Sequence, residues 1–219
     1  MKILSINISE PKKVMFNGKE LITSIYKKPI EGSIEVTDVG LIGDRQADMK
    51  VHGGYDKALY AYSHKHYQTW SKEMNQDYNE FGLVGENLTI DDFNEKEIYI
   101  GDELKIGNCL FQISQPRIPC YKIGIKMNSR DFPKKFSQSG LLGSYLRVLE
   151  TGSISKDDEI EYIKKESDSM SVYEISEILF KDINNIDKMK KAVDLKYLTE
   201  EIKERFRERL MKLGDYSSL

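Results

Sequence analysis

The sequence predicts an α+β protein in which a strand-rich domain, residues 1–163, precedes a three-helix extension, residues 169–219. Short apolar–polar alternations recur between turn signals as far as residue 163, with only one or two helical stretches among them. That pattern is typical of a closed barrel or a sandwich. After a polar linker, residues 164–168, the apolar residues recur at helical spacing instead.

In the first half of the strand-rich domain, strands are predicted from the alternation of apolar and polar residues and from the turn signals between them. Asn17-Gly18 predicts a hairpin turn between two extended segments. Residues 40–57 contain too many glycines and polar residues for a regular element, and this favours a functional loop. The predicted strands are residues 1–8, 20–26, 32–39, 59–62 and 85–90, and a helix is predicted over residues 64–74.

The second half continues the pattern up to the linker. Strands are predicted over residues 98–107 (two, around Gly101-Asp102), 109–114, 142–150 and 159–163, and a short helix over residues 131–137. In the tail, Ser171 and Glu174 have the spacing of a capping box. Asn185 and Thr199 are placed to begin two further helices, the last of which ends at Gly214.

Composition narrows the functional classes. The chain has 33 basic and 36 acidic residues, a net charge of -3, which gives no general support for nucleic-acid binding. Two cysteines are too few for a disulfide scaffold and indicate a reducing compartment. The short apolar start reads as a strand rather than a signal peptide, and no apolar run approaches the ~20 residues of a membrane span. We therefore expect a cytoplasmic protein without nucleic-acid or membrane partners.

Cys120 is the strongest candidate for a chemical centre. Pro116 and Pro119 restrict the backbone before it, and Arg117 and Lys122 place two cations close to it in sequence. Nearby cations favour the thiolate, which is the form that acts as nucleophile or soft-metal ligand. The alternative for any cysteine is a buried structural role. We expect that role for Cys109, which lies within a predicted strand.

Two other segments could contribute to a site. In the loop over residues 40–57, glycines would let backbone amides approach an anion, and Arg45, His52 and Lys57 could neutralise it. The loop lacks the Gly-Lys-Ser/Thr end of a P-loop. Its composition is equally typical of a surface loop without a binding function. In the second segment, Glu86 and Asn87 could orient a ligand or only shape a turn.

Taken in order, these segments resemble the MOSC domain, the domain found at the C-terminus of molybdenum-cofactor sulfurases. The resemblance rests on GDRQAD (43–48), VHGG (51–54), DKA (56–58), GENL (85–88), QPR (115–117) and PCYK (119–122). It is greatest to the stand-alone bacterial YiiM type, whose three-helix extension corresponds to the tail of this chain. It implies a strongly bent β-barrel, of the MOSC and pyruvate-kinase barrel kind, with a few peripheral helices.

The resemblance also implies a function. The expected cofactor is the molybdenum cofactor, a pterin dithiolene with a phosphate, and Cys120 would be the metal ligand and catalytic residue. Residues expected to bind the cofactor or line its cleft are Arg45, His52, Gly53, Lys57, Glu86, Asn87, Arg117 and Lys122, with Asp44 as a further orienting group. The expected reaction is reduction of an N-hydroxylated small molecule such as 6-hydroxylaminopurine, with electrons from a separate reductase.

Other interpretations stay open. The chain could carry the molybdenum cofactor or sulfur without turnover of its own, since a carrier needs the same cysteine and the same basic cleft. A thiol enzyme without a cofactor is a third reading. The helical tail could be a dimerisation element, a reductase dock or a lid, so a homodimer is one arrangement compatible with it.

Overall fold

A computed structural model describes residues 1–45, 53–166 and 168–215, and within them it has thirteen strands and six α-helices. The strands are β1 (Ile3–Ile8), β2 (Lys12–Phe16), β3 (Lys19–Thr23), β4 (Lys28–Pro29), β5 (Ser33–Thr37), β6 (Gly40–Leu41), β7 (Leu59–Ser63), β8 (Leu88–Ile90), β9 (Glu103–Ile106), β10 (Cys109–Pro116), β11 (Ser144–Glu150), β12 (Gly152–Ser155) and β13 (Ile160–Lys164). The helices are α1 (Lys65–Met74), α2 (Tyr121–Lys126), α3 (Phe132–Ser139), α4 (Val172–Phe180), α5 (Ile186–Asp194) and α6 (Glu200–Lys212), and a 3-10 turn spans Tyr55–Lys57.

Eight of these strands form one sheet in the order β13-β9-β10-β11-β7-β8-β1-β4. Its pairings are antiparallel except for the parallel pair β7 and β8. The two edges, β13 and β4, are not paired with each other, although an isolated bridge joins Lys2 to Glu159 beside β13. The predicted mixed α+β class is confirmed, whereas the predicted closed barrel is not.

Several local predictions are corrected. Residues 98–101 form a turn rather than a strand, and only Tyr99 makes an isolated bridge, to Ser171. β12 was not predicted, because its sequence, GSIS, carries a single buried apolar residue, Ile154. The helix count before the linker is also higher than predicted. α2 was missed because it begins directly after Cys120 and has only one turn and a half of sequence in which to show periodicity.

Two apolar clusters fill the interior. The larger one combines the inner faces of the sheet with the tail helices, for example Ile3 and Leu104 with Ile175 and Phe206, all fully buried. The smaller one is aromatic and lies under α1 and α3, where Trp70 packs edge-on against Phe132 with ring centroids 4.9 Å apart. The residues that flank Cys120 are therefore held between two cores.

The three tail helices begin much as the sequence predicts. Ser171 and Glu174 form the reciprocal capping box, and the Asn185 side chain accepts from the Lys188 amide. Thr199 occupies the N-cap position of α6 but makes no side-chain cap. Since these helices share the larger core with the sheet, the division into domains at residues 163 and 169 stays a prediction. In the described part of the chain, every helix is too short or too polar to cross a membrane.

Candidate functional site

Cys120 lies between the end of β10 and the start of α2. Its backbone is extended, with φ -114° and ψ 168°, and its side chain is partly exposed. β10 pairs with β11 as far as Pro116, so the chain reaches Arg117 from a fixed strand. The thiol thus stands on a short segment anchored on one side by a sheet and on the other by a helix. The sequence predicts a rigid loop around Cys120, and a reactive or metal-binding role for this cysteine stays a prediction.

Arg117 is the charged residue that the structure brings to this thiol. Its side chain is 7% exposed, lies 4.6 Å from the centroid of the Tyr60 ring, and donates to the Val84 carbonyl over 2.5 Å. Burial lowers the pKa of the guanidinium, but interactions with Tyr60, Tyr145 and Cys120 outweigh burial and raise that pKa above its usual value. Among the residues that the structure describes, no carboxylate forms an ion pair with Arg117. A buried cation without such a partner favours an anion nearby.

Two lysines that sequence reasoning missed lie in the same electrostatic environment. Burial lowers the pKa of Lys27, although its ion pair with Asp44 at 2.5 Å opposes this. Lys126 donates to the carbonyls of Ile25 and Gly82, and burial lowers its pKa to about 8. No sequence signal marks either lysine, because burial of a lysine is a consequence of the tertiary fold.

These groups leave the interior beside Cys120 with an excess of positive charge. Arg117 interacts electrostatically with both Lys27 and Lys126, and Glu86 interacts with the two lysines. Lys12 also acts on Lys126, so the cations in this set outnumber its two carboxylates, Asp44 and Glu86. This excess of positive charge is the feature that an anionic ligand would neutralise.

Asp44 and Asn87 have partners inside the protein. Asp44 accepts from the Asn87 side-chain amide at 2.9 Å and from the Ser9 backbone amide at 2.8 Å, besides its ion pair with Lys27. The Asn87 side chain also accepts from the Tyr60 amide at 3.2 Å. Both residues therefore fasten the first strand and the GENL segment to β7, and their predicted roles toward a ligand stay predictions.

Glu86 also has its hydrogen-bond partners inside the protein. It is fully buried and accepts hydrogen bonds from the Tyr67 hydroxyl, from the Val84 amide at 3.0 Å and from the Thr89 hydroxyl at 3.0 Å. These bonds hold the turn that presents the Val84 carbonyl to Arg117. Glu86 thus supports Arg117 through the backbone, and direct contact with a cofactor stays a prediction.

The glycine-rich loop is only partly described. His52 and the segment before it lie outside the described residues. Arg45 is exposed and forms a 3.6 Å ion pair with Glu10, and no described contact joins it to Arg117 or Cys120. Lys57 forms an ion pair with Glu201 of α6.

Gly53, in the described part of the glycine-rich loop, lines a cleft of about 300 Å³ that is also lined by Gln115 and Thr199. Lys122, the second cation beside Cys120 in sequence, is half-buried at the start of α2. The predicted roles of Gly53 and Lys122 toward a cofactor stay predictions.

Cys109 is 1% exposed within the larger core, as predicted. Burial, with a smaller contribution from Asp158, raises the pKa of its thiol to about 11. Without a metal ion it therefore stays protonated at neutral pH, as expected for a structural cysteine. In the described part of the chain, no group of three His, Cys, Asp or Glu residues gathers as metal ligands.

Comparison with known proteins identifies the family of this chain. The family model of the MOSC domain matches residues 48–161. Protein YiiM of Escherichia coli is 36% identical over 148 residues, which are 67% of this chain and 66% of that protein. A protein named Reductase from Gibberella moniliformis is 30% identical over 180 residues, 81% of this chain but only 32% of that longer protein.

A solved structure extends the likeness to nearly the whole chain. YiiM from Geobacillus stearothermophilus superposes with a TM-score of 0.81 at 29% identity, over 95% of this chain and 98% of the other. The superposition therefore includes the three-helix tail, which lies beyond the residues matched by the family model. The chain thus belongs to the MOSC domain family, as a protein of the YiiM type.

Proposed function

We propose that this chain is a molybdenum-cofactor-dependent reductase of N-hydroxylated compounds and that Cys120 is the molybdenum ligand. One observation supports the proposal most directly: a partly exposed thiol interacts with Arg117, a buried cation without an ion-paired carboxylate in the described part of the chain. Such a pair suits a ligand that offers both a soft metal and negative charge.

The residues present fit the cofactor in two respects. A thiolate is a soft ligand, and molybdenum held by a dithiolene accepts soft donors. The excess positive charge of Arg117, Lys27 and Lys126 over Asp44 and Glu86 matches an anionic pterin phosphate. In this proposal Arg117 and Lys122 hold the pterin or its phosphate, while Arg45, His52, Gly53, Lys57, Glu86 and Asn87 border the same cleft.

The proposed reaction breaks the N–O bond of an N-hydroxyl group. Two electrons and two protons enter, the oxygen leaves as water, and the amine remains. The cofactor, when bound, supplies the two-electron redox chemistry, and the protein supplies binding, orientation and electrostatics. The electrons come from a separate reductase, which makes that protein a proposed partner. The name of the Gibberella relative, Reductase, supports a reductive function.

The deciding experiment is turnover of 6-hydroxylaminopurine by cofactor-loaded protein with a chemical reductant, with adenine as the measured product. The expected result is adenine formation by the wild type and none by Cys120→Ser. Tight cofactor binding without reduction would instead favour a carrier of the cofactor or of sulfur. Metal analysis of freshly isolated protein tests the third reading, because activity without molybdenum would identify a cofactor-free thiol enzyme.

A further inference from the structure

Residues 197–201, which run from the connection after α5 into the first turn of α6, are bonded to the two parts of the chain that form the candidate site. The Tyr197 carbonyl accepts from Arg147 at 2.8 Å, the Thr199 hydroxyl donates to the Gln115 side chain at 2.6 Å, and Glu201 forms an ion pair with Lys57. These contacts span between 50 and 144 residues of sequence. A segment of the helical tail therefore reaches both the strand that leads to Cys120 and the glycine-rich loop.

The bond from Thr199 to Gln115 replaces a local interaction. Thr199 is at the N-cap position of α6, where a threonine hydroxyl usually accepts a hydrogen bond from a backbone amide of the first turn and so stabilises the helix. Here no side-chain cap forms, and both partners of the tertiary bond are buried, at 2% and 1% exposure. When a residue gives up its usual local hydrogen bond for a long-range one, the long-range bond indicates that the two segments must be held in a fixed relative position.

Gln115 connects that bond to the thiol. It lies on β10, its side-chain amide donates to the Pro116 carbonyl at 3.3 Å, and its backbone carbonyl accepts from the Ser144 hydroxyl at 2.9 Å. The chain then continues through Arg117 to Cys120. Fixing the Gln115 side chain from the tail therefore constrains the strand end from which the cysteine segment departs.

The ion pair of Lys57 and Glu201 attaches the helical tail to the glycine-rich loop and constrains that loop. Two residues of the sheet also hold this loop. Arg147 forms an ion pair with the Asp56 carboxylate at 2.5 Å, and the Ser114 hydroxyl donates to the Asp56 carbonyl at 2.6 Å. Arg147 is the same residue that donates to Tyr197. The turn over Tyr55–Lys57 is thus held between the sheet on one side and the tail on the other.

The two attachments border one cleft. It has a volume of about 300 Å³ and is lined by Gly53, Gly54, Tyr55, Gln115, Thr199 and Glu201. A Cβ atom at Gly54 would meet nothing within 4 Å, so this glycine is not packed against the protein, and the space beside it is open. The tail therefore supplies one wall of a cleft whose other walls are the glycine-rich loop and the strand before Cys120.

We propose that the segment 197–201 completes the substrate cleft, with Thr199 and Glu201 as positioning residues for a small polar substrate. Thr199 acts through Gln115 on the cysteine-bearing strand, and Glu201 acts through Lys57 on the glycine-rich loop. The proposal rests on the proposed function for the identity of the substrate, but the positioning itself is a property of the chain alone. In this proposal the helical tail forms part of the site and is not a separate appendage.

The first test compares Glu201→Gln with Glu200→Gln in the full-length protein without cofactor. Both residues are neighbouring glutamates at the start of α6, but among the described residues Glu200 forms ion pairs only with Lys203 and Arg207 of the same helix. The Lys57 amide, which donates to the Gly54 carbonyl at 3.0 Å, reports opening of the loop by hydrogen exchange. Glu201→Gln is expected to speed exchange over residues 53–57 about threefold, whereas Glu200→Gln leaves it unchanged. Equal exchange in both variants would overturn the role of Glu201.

The second test concerns Thr199. Thr199→Val removes the hydroxyl at nearly constant volume, and Thr199→Ser retains it. Alkylation of Cys120 by iodoacetamide, followed by peptide mass spectrometry, is expected to change in rate about two- to threefold in the valine variant and to return to the wild-type rate in the serine variant. An unchanged rate in both would contradict the inference. If the valine variant does not fold, Thr199→Ala, which also lacks the hydroxyl, takes its place in the comparison with Thr199→Ser.

A kinetic comparison separates this inference from the proposed function. In cofactor-loaded protein, Glu201→Gln is expected to raise KM about threefold for the N-hydroxylated substrate with little effect on kcat. Exchange and alkylation need neither metal nor substrate. If both respond as expected and no reduction is observed, the positioning role stands and the proposed function fails. If reduction occurs and neither measurement responds, the positioning role fails alone.

Discussion

The guanidinium of Arg117 lies over the Tyr60 ring, 4.6 Å from its centroid, while the Tyr60 hydroxyl donates to the Leu142 carbonyl at 2.7 Å. The ring face attracts the cation and replaces part of the hydration that burial removes. Since Tyr60 is on β7, this contact also joins the cysteine segment to the middle of the eight-stranded sheet. The charge beside Cys120 is therefore fixed in place before any ligand arrives.

Arg117→Lys keeps the positive charge but loses the planar contact with Tyr60. We expect a loss of about 1–2 kcal/mol in the free energy of unfolding, because an ammonium stacks less well and leaves the Val84 carbonyl poorly satisfied. Cofactor retention is expected to fall as well. Urea denaturation measures the first effect and molybdenum content the second. Retention and stability equal to the wild type would show that the geometry of Arg117 is unimportant.

Cys120→Ser is expected to abolish cofactor retention and activity while leaving the free energy of unfolding within about 0.5 kcal/mol of the wild type. The side chain is partly exposed, so the exchange of sulfur for oxygen disturbs little packing. Metal analysis and urea denaturation of the same preparation test both halves. Loss of the fold in this variant would instead identify Cys120 as a structural cysteine.

Cys109→Ser is expected to behave in the opposite way. It places an unpaired hydroxyl among buried apolar residues and should cost about 1–3 kcal/mol of unfolding free energy without affecting cofactor binding. Burial raises the pKa of the Cys109 thiol to about 11, so iodoacetamide at pH 8 should label Cys120 and spare Cys109 in the wild type. Cofactor loss without destabilisation in this variant would reverse the ranking of the two cysteines.

Asp44→Asn tests whether Asp44 is a structural partner of Lys27. Both side chains are almost fully buried in an ion pair of 2.5 Å, and removal of one partner from such a pair typically costs about 3–5 kcal/mol. The double variant Asp44→Asn with Lys27→Met should recover part of this loss, since it no longer buries an unpaired ammonium. Thermal or urea unfolding of the set measures both effects. A stable Asp44→Asn variant with weakened cofactor binding would support the ligand-orienting role instead.

Lys126 gives a prediction for alkaline pH. Burial lowers its pKa to about 8 in the folded protein, from 10.5 in the unfolded chain, with Glu86 opposing the shift and Arg117 and Lys27 adding to it. Between these values the unfolded chain binds a proton that the folded chain has lost, so this group makes folding more favourable as pH rises. Below pH 8 its contribution is a constant penalty. The gain across the interval is on the order of 3 kcal/mol at most.

The measurement is the difference in unfolding free energy between the wild type and Lys126→Met as a function of pH. Buried tyrosines such as Tyr62, whose pKa burial raises, contribute with the opposite sign, but they are common to both proteins and cancel in the difference. We expect the difference to be flat below pH 8 and to increase in favour of the wild type above it. A difference that is independent of pH up to 10 would show that Lys126 titrates normally.

The sequence by itself determined the features that depend on local pattern. Hydrophobic alternation located most strands, and the capping box of Ser171 and Glu174 located the start of the helical tail, because caps and periodicity act over a few residues. The cysteine segment was also recognisable, since its prolines and cations are adjacent to Cys120 in the chain. The ordered motifs were sufficient to indicate the family.

The tertiary structure alone decided what each polar residue contacts. The sequence did not show that Asp44 is the buried ion-pair partner of Lys27, nor that the hydroxyl of Thr199, at a helix N-cap, bonds Gln115. The burial of Lys126 was equally invisible. Each of these depends on residues tens of positions apart being brought together, and on the loss of water at that place. Sequence pattern reports neither, because burial and long-range pairing are properties of the packed chain.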